Sequence, residues 1–434
     1  MCFKNLSNLY QYVCNGIKQK CFIIINNSRD SLNNVRNEFN SFALHQHSTL
    51  FVKHSEVRFE YFFMISSRMM HYCGYDFRCL SDCVHKKELL KLIVKNIWFW
   101  VIPANVATLV SMILLDAWQS NDMGKMALAA STALSFSVYI FIISEMQRNK
   151  IKIFNFLEEL QMTFPSQNQL ARDACLVTQK MSVLFIILWL FLSLIVWLVP
   201  LTSIIFFGRN ILFYPVPDFM LHDFVYSLSL LWSSFAEFFG TLQVFSLALI
   251  IITLISIVCL EFDQLAHDAT CLKQFYEVEI IEFLQTFVER HNRALKLTKT
   301  LDGLFSIIFL VRFVVSIFAI GTDVFAVMSM QNLSEICLAL GLIMSELNQL
   351  FLICYVGQML INANNPVVTA IYNCGWENWT NLSLKKNVLM ILQKSQEPAT
   401  LKIWKFGSIS LRLFTRLTNS MYDITSFLLA VYDN

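Results

Sequence analysis

Charged residues are scarce in this 434-residue chain, in which Asp, Glu, Lys and Arg make up 15%, against about 25% in soluble proteins. Glycine and proline are few as well, with 11 and 7 residues. Apolar residues account for 56% of the chain, and phenylalanine alone occurs 39 times. This composition leaves too little polar surface to cover a water-facing globule. It therefore excludes an ordinary soluble domain and predicts lipid as the surrounding solvent.

The chain also lacks the features of several other classes of protein. It has no long basic stretch and a net charge of only +2, so we predict no nucleic-acid partner. His45 and His47 form a close pair in a polar segment, where solvated side chains are expected rather than a metal site. No pair of the 12 cysteines falls on the side of the membrane predicted to be extracellular, so we expect no structural disulfide.

Signatures of catalysis are missing too. The sequence contains no His-Glu-x-x-His, no glycine-rich phosphate loop and no Gly-x-Ser-x-Gly, the motifs of common hydrolases and nucleotide enzymes. Tyr422-Asp423 is similar to the Tyr-Asp pair of intramembrane aspartyl proteases, but no second aspartate stands in a Gly-x-Gly-Asp context. We therefore predict that the protein is not an enzyme and needs no cofactor.

What the chain has instead is long apolar segments. A helix needs about 20 residues to cross a hydrocarbon core. The segments of about that length are residues 97–115, 126–144, 181–207, 226–260, 303–330, 335–361 and 409–431. They are continuous rather than alternating, and unpaired strand backbone cannot face lipid. The predicted fold class is therefore all-α, a polytopic membrane protein with seven transmembrane helices. Six spans and an amphipathic last helix are the alternative, because Arg412, Arg416 and Asp423 lie in the last segment.

The distribution of basic residues between the loops predicts the orientation. One set of loops comprises the N-terminal region and residues 145–180, 261–302 and 362–408. This set holds clusters such as Arg290 and Arg293, whereas the opposite set holds only Lys125 and Arg209. Cytoplasmic loops carry the excess of Lys and Arg. The N-terminus is therefore predicted to be cytoplasmic and the C-terminus extracellular.

The chain is expected to have three parts. Residues 1–55 are polar and are predicted to form a cytoplasmic N-terminal segment. Residues 56–96 are amphipathic and are predicted to form a cytoplasmic or juxtamembrane helix. Residues 97–434 make up the seven-span domain. Within it, residues 275–300 keep helical apolar spacing between charges, which predicts helical extensions below the membrane that pack against another subunit.

Polar groups inside the spans are the strongest pointers to function, because they cost several kcal/mol unless they pair or face water. Arg312, Asp323 and Glu346 are such groups, and the alternative to a functional role is that some of them lie near helix ends or pair with one another to hold the bundle together. Asp423 lies on a polar stripe of the last span, as a water-lined pore wall would require. Polar packing between helices is the alternative for that stripe.

The last third of the chain carries a more specific pattern. The last span carries Ser410, Leu411, Phe414, Ser420 and Tyr422. It is preceded by an aromatic and basic segment with Ala370-Ile371-Tyr372, Trp376, Trp379, Lys385-Lys386, Gln396 and Pro398. This stretch resembles the most characteristic part of insect odorant receptors. Gly74 before the first span and the prolines of the second outer loop are similar as well.

The resemblance implies an odorant-gated cation channel in the plasma membrane of a sensory dendrite. Such channels are heterotetramers with a shared co-receptor, and they line the pore with the last span. A small hydrophobic volatile would bind among spans two to six, surrounded by membrane lipid. The pocket positions expected here are Ser135, Phe136, Tyr139, Ser193, Trp197, Phe235, Phe239, Phe318, Thr322 and Phe325. The pore and gate positions expected are Asp423, Phe427, Leu428 and Val431.

Three other classes of seven-span protein are alternatives. A transporter would favour discontinuous helices, which the uninterrupted third and fourth spans oppose. Gustatory receptor channels end in a Thr-Tyr…Gln-Phe signature, which is absent here. Rhodopsin-like receptors have an extracellular N-terminus and Asn-Pro-x-x-Tyr in their last span. In this chain Asn365-Pro366 follows the sixth span and continues into Val367.

Overall fold

The computed structural model describes residues 59–75, 86–120, 122–164, 169–207, 223–272, 277–330, 333–403 and 407–432. The described chain is almost entirely helical. In chain order its α-helices are α1 (Glu60–Tyr72), α2 (Lys86–Ser120), α3 (Met123–Arg148), α4 (Lys150–Thr163), α5 (Gln169–Phe207), α6 (Asp223–Cys271), α7 (Glu277–Ser329), α8 (Leu333–Tyr372), α9 (Leu382–Ser395) and α10 (Leu411–Tyr432). The predicted N-terminal segment, residues 1–55, lies outside the described residues.

Six of the described helices are long and apolar enough to cross a membrane, namely α2, α3, α5, α6, α7 and α8. The seventh, α10, has 22 residues but carries charges along one face. Large apolar side chains on α5, such as Leu184, Phe191 and Leu194, point outward, where a water-soluble protein would not expose them together. The predicted all-α, polytopic membrane fold is therefore confirmed.

The helices α6 and α7 are much longer than a membrane is thick. α7 has 53 residues and spans about 80 Å at about 1.5 Å per residue, whereas a hydrocarbon core is about 30 Å thick. The first half of α7 pairs with the last half of α6 and with α4, through Arg293–Glu261 at 3.2 Å and Lys296–Glu159 at 3.0 Å. A charged helical sub-bundle thus extends one end of the apolar bundle.

The core is organised around α6, which is buried along most of its apolar length. α1 packs on this helix, burying Phe63 and Met70, and the Ser246 hydroxyl of α6 donates to the Met70 sulfur at 3.1 Å. Because α1 precedes the first span, the bundle includes a helix that is not itself a span. The last helix, α10, packs mainly on α7 and α8.

Close helix contacts depend on small residues, as is usual in membrane bundles. A Cβ on Gly321 of α7 would lie 2.8 Å from Ile424 Cγ2 of α10. A Cβ on Gly357 of α8 would lie 2.7 Å from the Ile409 carbonyl oxygen, just before α10. These two glycines therefore fix how closely α10 approaches its neighbours.

Gly74→Ala is expected to lower the unfolding midpoint of the detergent-solubilised protein. Gly74 adopts φ +77°, and an added Cβ would lie 2.5 Å from the Lys95 carbonyl oxygen, so the substitution combines backbone strain with a clash. Strain of this kind costs about 1–3 kcal/mol. The matched control is Gly303→Ala in α7, where nothing lies within 4 Å of the new Cβ and the helix gains up to about 1 kcal/mol. Equal midpoints for the two variants would contradict this expectation.

Candidate functional site

A cavity of about 220 Å³ lies inside the bundle between α2, α3, α6, α7 and α8. Most of its wall is apolar, since the spans meet there through the faces that carry valine, leucine and phenylalanine. Apolar wall residues include Leu109, Phe136, Val244, Phe245, Leu338 and Leu342. A largely apolar cavity with a few polar groups is the usual form of a site for a small hydrophobic ligand.

One part of the wall is a buried ion pair between α7 and α8. The Arg312 Nη2 donates to Glu346 Oε2 at 2.7 Å and to Gln349 Oε1 at 2.5 Å. Glu346 also accepts from the hydroxyls of Ser135 and Ser316, at 3.2 and 3.1 Å. A buried charge is tolerated only when it is paired and hydrogen-bonded, and both conditions are met here. The cluster ties α3, α7 and α8 together beside the cavity.

A second polar contact ties α3 to α6 and α2. The Tyr139 hydroxyl, at the cavity wall, donates to Gln243 Oε1. Gln243 Nε2 in turn donates to the Phe99 carbonyl oxygen at 3.4 Å. Gln243 is fully buried, so this chain satisfies an amide that would otherwise be costly in the core. Because the Tyr139 hydroxyl donates its proton to Gln243, this proton is not available to a ligand.

Asp323 of α7 is the third polar element of the wall. Its side chain is completely buried and lines the cavity. Ser131 lies nearby on α3, but within the described chain neither carboxyl oxygen of Asp323 has a hydrogen-bond partner. This carboxyl thus differs from that of Glu346, whose oxygens are both engaged.

The residues predicted for a ligand pocket fall into two groups. Ser135, Phe136 and Tyr139 line the cavity together. The other predicted pocket residues whose side chains the structure describes do not line the cavity. The rings of Phe235 and Phe239 are tilted against each other with their centroids 4.5 Å apart, and both contact Trp98.

The other predicted pocket residues lie on α5 and α7. Phe318 is 51% exposed, Thr322 donates back to the carbonyl oxygens of its own helix, and Phe325 is buried without lining the cavity. The side chains of Ser193 and Trp197 lie outside the described residues. The predicted pocket is therefore brought together only on α3.

Several cavity residues were not predicted as pocket residues. They lie on α2 and α8, including Val106, Leu109, Leu338 and Leu342, and apolar residues of this kind give no signal in a sequence. Arg312, Asp323 and Glu346 did give one, as charges inside spans. The sequence could not assign them to one wall, because that depends on how α7 and α8 are rotated.

The last helix has a buried face and an exposed face. Leu417, Met421 and Thr425 recur every four residues and are buried against α7 and α8. Asp423 and Phe427 lie on the exposed face, where Phe427 is 67% exposed. The side chains of Leu428 and Val431 lie outside the described residues. No group of three His, Cys, Asp or Glu in the described chain is arranged to hold a metal ion.

Comparison with known proteins gives the family. The model of the 7tm Odorant receptor family matches residues 121–422, which is well over half of the chain. The chain belongs to this odorant receptor family. Odorant receptors are receptors rather than enzymes, and the resemblance found in the last third of the sequence is thereby confirmed.

Individual odorant receptors are related only distantly. Odorant receptor 67c of Drosophila melanogaster is 26% identical over 189 residues, which are 43% of this chain. The match spans 46% of that relative, so the chain covers just under half the length of this receptor. Odorant receptor 13a of the same species is 22% identical over 374 residues, covering 77% of this chain and 87% of the relative.

Solved structures share the fold. The insect olfactory receptor OR5 from Machilis hrabei has a TM-score of 0.70 at 13% identity, covering 85% of this chain and 97% of that one. The same receptor in complex with eugenol also has a TM-score of 0.70, at 86% and 98% coverage. This odorant receptor thus has the helical fold of an insect olfactory receptor and is a multi-pass membrane protein.

Proposed function

We propose that the chain is the odorant-specific subunit of a heteromeric, odorant-gated cation channel formed with the odorant receptor co-receptor. A small hydrophobic volatile binds in the cavity between α2, α3, α6, α7 and α8. Its binding opens a pore lined by α10 in the plasma membrane of a sensory neuron. The N-terminus is cytoplasmic, and the charged sub-bundle of α4, α6 and α7 packs against neighbouring subunits below the membrane.

The observation that carries the binding step is the cavity itself. It lies inside the bundle, its wall is mostly apolar, and two of the helices that bound it, α7 and α8, also contact α10. The family match supplies the class of protein, and the receptor from Machilis hrabei with a matching fold has been solved in complex with eugenol. A small organic molecule is therefore the ligand that this cavity fits best.

The observation that supports the pore is the exposed face of α10. In a single subunit this face, with Asp423 and Phe427, packs against no other described helix. In a ring of four subunits, such faces would meet around a central axis. Asp423 would then attract cations, and the Phe427 rings would form an apolar constriction that closes the pore by excluding water.

Coupling between the two sites runs through α7. This helix contributes Arg312 and Asp323 to the cavity wall, and its Gly321 lies against Ile424 of α10. A ligand that draws the cavity walls together shifts α7 and thereby α10. It opens the channel only if it binds the open arrangement more tightly than the closed one.

Whole-cell recording tests the function. Cells expressing this chain with an insect odorant co-receptor are expected to carry an inward cation current within milliseconds of applying an activating volatile, without any nucleotide. Cells with either subunit alone serve as controls. A response that required a G protein or a nucleotide, or the absence of any complex with the co-receptor, would contradict the proposal.

Filling the cavity is expected to weaken activation by odorants. Ile113→Trp places a large side chain at the cavity wall, so a volatile loses its space and its half-maximal concentration rises by about tenfold or more. The matched control is Leu114→Trp, one residue along α2, where the side chain is 42% exposed and faces lipid. If both variants kept the wild-type dose response at equal surface levels, the volatile would bind elsewhere.

A further inference from the structure

We propose that this receptor selects volatiles that carry one hydrogen-bond donor, a hydroxyl or an amine, on a compact apolar body, and that Asp323 accepts that donor. The inference rests on the proposed function, since it names the ligand class for the same cavity. It is carried by the geometry of the three polar elements in the wall.

Asp323 is the unsatisfied element among them. It is completely buried and lines the cavity, yet neither of its carboxyl oxygens is hydrogen-bonded within the described chain. Leaving a buried acid without a partner inside a membrane protein costs several kcal/mol. A donor that enters the cavity removes this cost, so the site favours such a ligand over one that is wholly apolar.

The neighbouring polar groups do not satisfy that carboxyl. The Ser131 hydroxyl is a nearby donor, but no hydrogen bond to either Asp323 oxygen is formed within the described chain. Arg312 is engaged by Glu346 and Gln349, and the Tyr139 hydroxyl is engaged by Gln243. Counting formal charges in the wall, Arg312 balances Glu346 and leaves Asp323 uncompensated. The cavity therefore presents an acceptor, and donors of either charge state, neutral hydroxyl or protonated amine, match it.

The size of the cavity limits the rest of the ligand. Its volume is about 220 Å³, whereas an engineered apolar cavity of about 150 Å³ in another protein holds benzene. A single ring with a short substituent therefore fits. Benzyl alcohol, benzylamine and ethylbenzene form a matched series for testing the donor, because they differ at one terminal group that is hydroxyl, amine or methyl.

The test is the current evoked by these three volatiles from the full receptor with its co-receptor. For the wild type, benzyl alcohol or benzylamine is expected to act at about tenfold lower concentration than ethylbenzene, the advantage of one hydrogen bond to a buried carboxyl group. Asp323→Leu is expected to abolish that advantage, so that the three volatiles act at similar concentrations whatever the overall size of the response. The amount of variant complex at the cell surface is the control for folding.

Asp323→Asn distinguishes the two kinds of donor. The amide keeps an acceptor oxygen but cannot become negatively charged opposite an ammonium group, so benzyl alcohol is expected to keep its advantage over ethylbenzene and benzylamine to lose it. Equal potency of all three volatiles in the wild type would overturn the inference. An unchanged ranking in Asp323→Leu, as expected if water satisfies the carboxyl, would also overturn it. The inference would also be overturned if other volatiles evoked a current while neither benzyl alcohol nor benzylamine did. Silence toward every volatile from well-expressed complexes would instead count against the proposed function.

Discussion

Replacing Arg312 by methionine is expected to leave most of the protein misfolded or retained inside the cell. The substitution removes the partner of Glu346, a carboxylate buried between α7 and α8. Breaking one side of a buried ion pair costs about 3–5 kcal/mol, because the remaining charge is uncompensated. The measurement is the fraction of receptor at the cell surface, together with the unfolding midpoint of the detergent-solubilised protein.

The second variant of this experiment removes both charges. Arg312→Met combined with Glu346→Leu leaves no buried ion, and well-packed apolar replacements of buried pairs are often neutral. The Ser135 and Ser316 hydroxyls can then bond to carbonyl oxygens of their own helices. We expect the double variant to recover most of the lost surface fraction. A double variant as unstable as Arg312→Met would mean that the arginine acts through packing and not through its charge.

Phe427→Ala is expected to produce a steady current in the absence of odorant. In the proposed assembly, the Phe427 ring of each subunit contributes to the apolar constriction on α10, and alanine would widen it enough for water and cations to enter. The current before odorant application should rise to a large share of the maximal evoked current. Whole-cell recording at matched surface levels measures both.

The matched control is Phe191→Ala on α5, which removes a similarly exposed ring, 57% accessible against 67% for Phe427, from a helix outside the proposed pore. It should leave the resting current at the wild-type level. If Phe427→Ala changed neither resting current nor permeation, Phe427 would not be the gate. The polar stripe of α10 would then be a packing surface between helices.

The helices could largely be predicted from the sequence, because crossing a membrane imposes length and apolarity on each span. The last span was predicted as residues 409–431, and α10 covers Leu411–Tyr432. The fourth was predicted as residues 226–260, yet α6 continues to Cys271. Hydropathy marks only the part of a helix in lipid, and the extension of α6 carries charges such as Glu261 and Asp268 that pair with α7.

The candidate site was predictable only in part. Ser135, Phe136 and Tyr139 share one face of α3 and were found through their residue types. The ion pair between Arg312 and Glu346 joins residues that are 34 positions apart. The rotation of the helices decides which buried acid meets the arginine and which does not. Nothing in the sequence separates Glu346, whose two oxygens are hydrogen-bonded, from Asp323, whose oxygens have no hydrogen-bond partner among the described residues.

The most direct test of the central claim is the accessibility of α10 from water. Asp423→Cys, co-expressed with the co-receptor, is treated with a positively charged methanethiosulfonate reagent while the current is recorded, and the wild-type chain is the control. We expect modification to reduce the cation current and to proceed several-fold faster during odorant application than at rest. A modification rate that odorant does not change, or a current that modification leaves intact, would contradict an odorant-gated pore along α10.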